Sequence, residues 1–277
     1  MTSPTTTRPS TTRRRRPMRQ FGDGWAVRIS ALVVLVFLAL PLVALVGSSF
    51  NPTPLVQFPP SGFSLRWYES VLTSNDWLVS MQLSLVVALL TIPTVVVLAT
   101  LAAYGLFRGR PKPVLTSFFM SPLIVSEVMI GLGLLTYLQG TGTLNSITGL
   151  WLAHTLVTMP FAIRTVSISV QGLDPMLERA GQSLGAGPLR VFFTVTLPQL
   201  RPGIVAGGIF AGVLSLGEVA VSTFVTGPNT TTVPLRIMSA VQFELDPSSA
   251  AVSTLLMLFS IAVMVLLSKW VDLSKAF

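Results

Sequence analysis

The segment GLDPMLERAGQSLGAGPLRVFFTVTLPQL, residues 172–200, lies between long apolar stretches yet carries helix punctuation of its own. Asp174 is placed to cap a helix N-terminus, with Pro175 at the first helical position. Gly185 and Gly187 suit the end of that helix. Leu177, Ala180, Gly181 and Leu184 fall at i, i+3, i+4 and i+7, which puts them on one face. Pro188 then predicts a second short helix whose Leu189, Phe192 and Phe193 share a face, stopped at Leu197-Pro198. A helix, a glycine turn and a helix lying at a membrane surface can serve two ends. Small residues at the turn let another protein approach the backbone closely, or the amphipathic faces rest on lipid.

The surroundings of this segment are built for a bilayer. The chain has 277 residues, 51% of them hydrophobic and 10% charged, and a mean hydropathy of +0.73. Soluble domains carry about 25% charged residues, so the class indicated is a membrane protein. Apolar stretches at about 28–50, 78–106, 114–138, 144–170, 200–225 and 248–268 are each long enough to cross roughly 30 Å of hydrocarbon at about 1.5 Å per residue. The expected fold is therefore an all-α membrane protein of six transmembrane helices, with the 172–198 loop between helices four and five. The first stretch follows arginines as a signal peptide would, but its apolar part from Ile29 to Val46 exceeds a signal h-region and predicts an uncleaved anchor. Pro41, Pro93, Pro122 and Pro160 interrupt four of the spans, which a bundle tolerates when neighbours satisfy the freed carbonyls.

The net charge of +8 comes from a lopsided distribution of basic residues. With the N-terminus inside, Arg8, Arg13, Arg14, Arg15, Arg16, Arg19, Arg28, Arg108, Arg110, Lys112, Arg164, Arg179, Arg190, Arg201, Lys269 and Lys275 fall on the inner side. Arg66 and Arg236 alone fall outside. Sixteen against two places both termini and the 172–198 loop in the cytoplasm. The outer loops carry Glu69, Asp76, Glu244 and Asp246 instead. The Thr/Ser/Pro-rich head, residues 1–27, has no apolar period and reads as a disordered cytoplasmic tail, leaving 28–277 as the polytopic unit with a core at about 78–268. No aromatic residues interleave with its arginines, so attraction to anionic lipid is favoured over nucleic-acid binding.

Several chemistries are excluded. The chain has no cysteine and a single histidine, His154, so thiolate sites and disulfides are ruled out, and a histidine-based metal site or serine triad is disfavoured. It has no G-x-x-x-x-G-K-[ST] sequence and cannot be a P-loop ATPase by itself. No nucleophile with a base points to an intramembrane enzyme. His154 reads best as an interhelical hydrogen-bonding group.

Two carboxylates stand out, Glu127 in span three and Glu218 in span five. An ionised side chain at a helix centre costs about 2.5–3.5 kcal/mol on insertion scales, so such groups normally face a polar cavity. Lining one pathway, they would serve a cationic solute; otherwise they are hydrogen-bonded packing residues. Trp67, Tyr68, Trp77 and Tyr137, near the outer ends of spans, could add cation–π contacts or act as interfacial belt residues.

The 172–198 loop resembles the EAA loop of type I ABC importer permeases, whose pattern is E-A-A, three residues, G, nine residues, then I-x-L-P. The matching residues are Arg179, Ala180, Gly181, Gly185, Val195, Leu197 and Pro198. Arg179 replaces the glutamate, Gly181 replaces the second alanine, and Glu178 stands one place early. SLRWYESVL at 64–72, SPLIVSEVMIGLGLL at 121–135 and the run from Ser215 to Met257 are similar to the second permease of spermidine/putrescine importers, with Phe224 to Pro228 (FVTGP) and Pro234 to Ile237 (PLRI) favouring that branch over those for iron, phosphonate or thiamine. The resemblance implies a bacterial cytoplasmic-membrane permease that pairs with a second permease subunit. It further implies two ATP-binding subunits, carrying ATP-Mg, docked on the coupling loops, and an extracytoplasmic solute-binding protein that delivers the solute. The chain itself would bind no cofactor or metal and catalyse nothing. The competing class is an ion-coupled secondary transporter using Glu127 or Glu218, which leaves the loop without a role.

Overall fold

The computed structural model describes residues 25–54, 57–109, 112–244 and 248–270. Residues 1–24 of the expected tail lie outside the described residues, as do Arg110, Asp246 and Lys275; residues 25–27 already belong to the first helix. The helices are α1 (Trp25–Ser49), α2 (Arg66–Thr73), α3 (Asn75–Phe107), α4 (Pro113–Met120), α5 (Glu127–Thr141), α6 (Ile147–Gln171), α7 (Pro175–Ser183), α8 (Pro188–Val191), α9 (Leu197–Gly217), α10 (Ser222–Val225), α11 (Val233–Ser239) and α12 (Ser248–Trp270). Among the described residues four helices are long and apolar enough to cross a membrane, or up to six if each of two bent pairs is one span. Residues up to Ala44, which include most of α1, form one unit, and Leu45–Phe277 a second.

The centre of the second unit is a packed trio of α3, α6 and α9. Val95 and Ala99 of α3, Ile163 and Val166 of α6, and Leu200 and Ala211 of α9 are buried together. Among apolar surroundings, close van der Waals approach takes over from water exclusion as the main attraction between helices, and α9 provides for it with small residues. A Cβ at Gly203 would stand 2.5 Å from the Ser169 hydroxyl of α6, and one at Gly212 would stand 3.0 Å from Ile92 of α3. Next to Pro93 inside α3, the carbonyl of Leu90 accepts from Trp151 Nε1 of α6 at 3.2 Å.

Three expected helices depart from a simple reading. The third span is not one rod: α4 runs through a 3₁₀ turn at Ser121–Leu123 and the chain turns by 94° into α5. Pro122 lies in that turn, where its missing N–H and fixed φ favour a break over continuation. The fifth span, expected at 200–225, ends as a helix at Gly217; Glu218 is extended (φ −72°, ψ 120°) and helix resumes as α10 at Ser222. Leu197-Pro198 does not stop the helix after Pro188 but continues it. A π turn at Phe192–Thr196 joins α8 to α9, so that Pro188–Gly217 is one helical run of 30 residues. The wide turn supplies the slack that a proline, lacking an N–H, needs inside a helix.

Candidate functional site

The loop at 172–200 folds from its own punctuation. Asp174 Oδ1 accepts from the Met176 N–H at 2.8 Å, and Pro175 opens α7. At the other end Gly185 takes φ +83°. Its N–H reaches the Gln182 carbonyl at 2.9 Å and the Ala186 N–H reaches that of Gly181 at 3.1 Å, the paired bonds of a Schellman cap. Gly187, read from sequence as a second terminator, instead precedes Pro188 as the N-cap of α8 in extended conformation.

Gly181 explains why a residue smaller than alanine suits its position. A Cβ there would lie 3.3 Å from Val191 Cγ2, so the glycine lets α7 sit close on the segment that leads into α9. Glu178 fastens the same joint. It is paired with the Arg108 guanidinium, just past α3, and accepts from the Thr196 hydroxyl at 2.8 Å in the π turn. Burial works against the charge on Arg108, but the hydrogen bond and negative charge of Glu178, with smaller help from Tyr104, outweigh it and hold the guanidinium pKa above the ordinary arginine value. Arg179 is exposed. Val195 in the π turn and Leu197 and Pro198 at the start of α9 are half-buried.

What the loop leaves outside is apolar. Met176, Leu177, Leu184, Leu189 and Phe193 are all exposed, Leu184 by 89%. Phe192 turns inward, edge-on to Tyr104 of α3 at 5.3 Å between ring centres. The face predicted from Leu189, Phe192 and Phe193 is thus divided between inside and outside.

The second locus lies at the two helix breaks. Glu127 is the first residue of α5 and exposed, just beyond the 94° turn. Glu218 occupies the break after α9 and is buried, its Oε1 accepting from the Val221 N–H at 2.8 Å. Neither is in the middle of a helix, as their sequence positions suggested. The fold brings the two breaks together through the contact of α10 with α5. Packing of α10 on α5 holds this arrangement, since Phe224 fills the space over Gly131, where a Cβ would stand 2.4 Å from its ring.

His154 of α6 lies beside the same break, buried with both ring nitrogens bonded. Nδ1 meets the Ser215 hydroxyl at 2.8 Å and Nε2 that of Ser222 at 3.0 Å. Sequence named the histidine but neither serine, and Arg108 and Thr196 were equally unmarked as partners of Glu178. Three of the four aromatic residues are committed within the chain: the Tyr68 hydroxyl is hydrogen-bonded to that of Ser49 at 2.6 Å. Arg66 lies over Trp67, whose Nε1 donates to the Asn51 carbonyl at 2.7 Å, and Arg236 lies over Trp77. Among the described residues no cluster of metal-ligating side chains occurs.

Comparison with known proteins agrees with this architecture. Residues 18–275 match the family described as the binding-protein-dependent transport system inner membrane component. The chain belongs to this family. The permease is 32% identical over 244 residues to the putrescine transport system permease protein PotI of Escherichia coli (strain K12), covering 84% of this chain and 85% of that one. It is 28% identical over 244 residues to the spermidine/putrescine transport system permease protein PotC of the same organism, covering 87% and 92%. The solved structure of a bacterial ABC transporter involved in the import of the acidic polysaccharide alginate contains a chain of similar fold. The TM-score is 0.68 at 14% identity, over 90% of this permease and 99% of that chain. A multi-pass inner-membrane permease of an importer, rather than an enzyme, accounts for the apolar helices, the absence of a P-loop and the folded loop at 172–200.

Proposed function

We propose that this permease is one of the two membrane subunits of an ATP-driven polyamine importer, and that putrescine or spermidine passes Glu127 and Glu218. The observation that carries the reading is that packing of α10 on α5 brings together the two helix breaks that hold those carboxylates. Residues 113–163 and 202–235 contain no Lys or Arg, so the carboxylates have no nearby basic residue in sequence as a countercharge. A solute with ammonium groups separated by a short methylene chain supplies that charge as it passes, which offsets the cost of holding carboxylates within a membrane. The names of the relatives PotI and PotC support the same solute class.

The exposed apolar residues around Gly185 fit a groove on a cytoplasmic ATP-hydrolysing subunit, which would carry the ATP-Mg that this chain has no motif to bind. The basic-residue asymmetry supports a cytoplasmic position for the loop and for both termini. Six spans, a second permease, two ATP-binding subunits and an external solute-binding protein complete the proposed assembly. Nucleotide and delivered solute favour different arrangements of the spans, which is how hydrolysis elsewhere drives passage here.

The test is purification of the tagged chain from its native membrane in mild detergent, together with radiolabelled putrescine uptake by cells lacking it. The expected result is co-purification of an ATPase, a second permease and a solute-binding protein, and loss of saturable uptake. Recovery of the chain alone, with uptake that survives ATP depletion and collapses with a proton uncoupler, overturns the reading in favour of an ion-coupled transporter.

A further inference from the structure

The break in the fifth span has a brace. Ser215 in the last turn of α9 and Ser222 at the start of α10 flank residues 218–221, and one buried imidazole bonds both. In an unbroken α-helix, residues seven apart are separated by roughly 10.5 Å of rise. The two ring nitrogens, each one hydrogen bond from its partner, reach across about 8 Å at most. Here the bridge closes over a segment that has left the helix at Glu218 and re-enters it at Ser222. Neutral imidazole suits this duty, since one nitrogen donates, the other accepts, and a serine hydroxyl can do either.

The histidine is itself held firmly. It sits about a third of the way along α6, which packs against both α3 and α9, and its own carbonyl accepts from the Thr158 hydroxyl at 2.7 Å. Between the two serines the Glu218 carboxylate turns back to the Val221 N–H. The position of that carboxylate thus depends on the separation of the two helix ends.

We infer that His154 is a positioning residue for Glu218: by bonding Ser215 and Ser222 it fixes the width of the break and so the place at which the carboxylate meets the passing solute. This rests on the carboxylate reading given under the proposed function.

The test is a set of variants of the full chain in cells lacking the native one, with membrane abundance measured by immunoblot and initial rates taken for radiolabelled putrescine. Groups acting through one another give non-additive losses, whereas independent defects multiply. We expect Glu218→Gln to lower uptake about tenfold and His154→Ala about fivefold, with the double variant no worse than Glu218→Gln alone. His154→Gln keeps a polar atom near the Nε2 position and should restore most of the alanine loss. If His154→Ala does not reach the membrane, the Ser215→Ala/Ser222→Ala variant, which removes two oxygen atoms, takes its place in the same cycle. Multiplicative losses at normal abundance, or full uptake after loss of both serines, overturn the positioning role and leave the carboxylate reading standing. Full uptake by Glu218→Gln with impaired His154 variants overturns the carboxylate reading, and the positioning role falls with it.

Discussion

Arg108, one residue past the end of α3, holds the carboxylate of Glu178 in the middle of α7, 70 positions further along the chain. The same carboxylate also accepts from Thr196, so one side chain ties the loop to two of the three central helices.

Removing either partner should loosen the loop without unfolding the bundle. Both side chains are partly shielded, at 24% and 12% exposure, so a coupling of about 1 kcal/mol is expected from a double-mutant cycle on Arg108→Ala and Glu178→Gln. Limited proteolysis of residues 172–198 in detergent should accelerate in both variants. Unaltered cleavage in Glu178→Gln would show that the pair is incidental. Because the Arg108 pKa is raised, its contribution is complete below the ordinary arginine range and is lost only above it, so alkaline titration to pH 9 should leave the loop protected.

Gly185 offers a cleaner probe of docking. At φ +83° a β-branched residue is strained by about 1–2 kcal/mol, while asparagine tolerates that region. Gly185→Val is expected to reach the membrane in normal amount, lower putrescine uptake at least about tenfold and leave ATP hydrolysis by the assembled complex running. Gly185→Asn should retain most activity. Equal uptake in the valine variant and the native chain counts against a docking role.

Gly181 tests the fit of the loop on its support. Alanine there presses on Val191 at 3.3 Å but gains up to about 1 kcal/mol of helix propensity, so the net change should be small. Valine adds bulk with no such gain and should cost about 1–3 kcal/mol. The readout is the melting temperature of the purified chain, with Val191→Ala expected to relieve the valine variant.

Gly131 and Phe224 should behave as a matched pair. Gly131→Val drives a side chain into the Phe224 ring and is expected to cost about 1–3 kcal/mol. Adding Phe224→Ala should recover part of it, seen as a return of the monodisperse peak after heating. If the second change only adds to the damage, α10 does not rest on α5 in the way described.

The sequence made some of this architecture plain and concealed the rest for physical reasons. Hydropathy averages over about twenty residues, so it marked α1, α3 and α12 well but passed straight over the breaks at Ser121–Ser126 and Glu218–Val221. Punctuation is local chemistry, and Asp174, Pro175 and Gly185 were legible because each needs only its immediate neighbours. Gly187 and Pro198 misled because the same residue can end one helix or begin another, and a π turn leaves no sequence signature. The packing together of the breaks at Glu127 and Glu218, and the bonding of His154 to Ser215 and Ser222, span 61 to 91 positions, which no local pattern encodes.

The helical run from Pro188 to Gly217 has the exposed loop at one end and Glu218 at the other. Thirty residues at about 1.5 Å each make a shaft of roughly 45 Å. A tilt of about five degrees at one end of such a shaft moves the other by roughly 4 Å, more than the length of a hydrogen bond. The π turn at Phe192–Thr196 sits near the loop end, and the long arm beyond it, which includes Pro202, is packed along α3 and α6. The molecule is thereby built as a lever with a short handle.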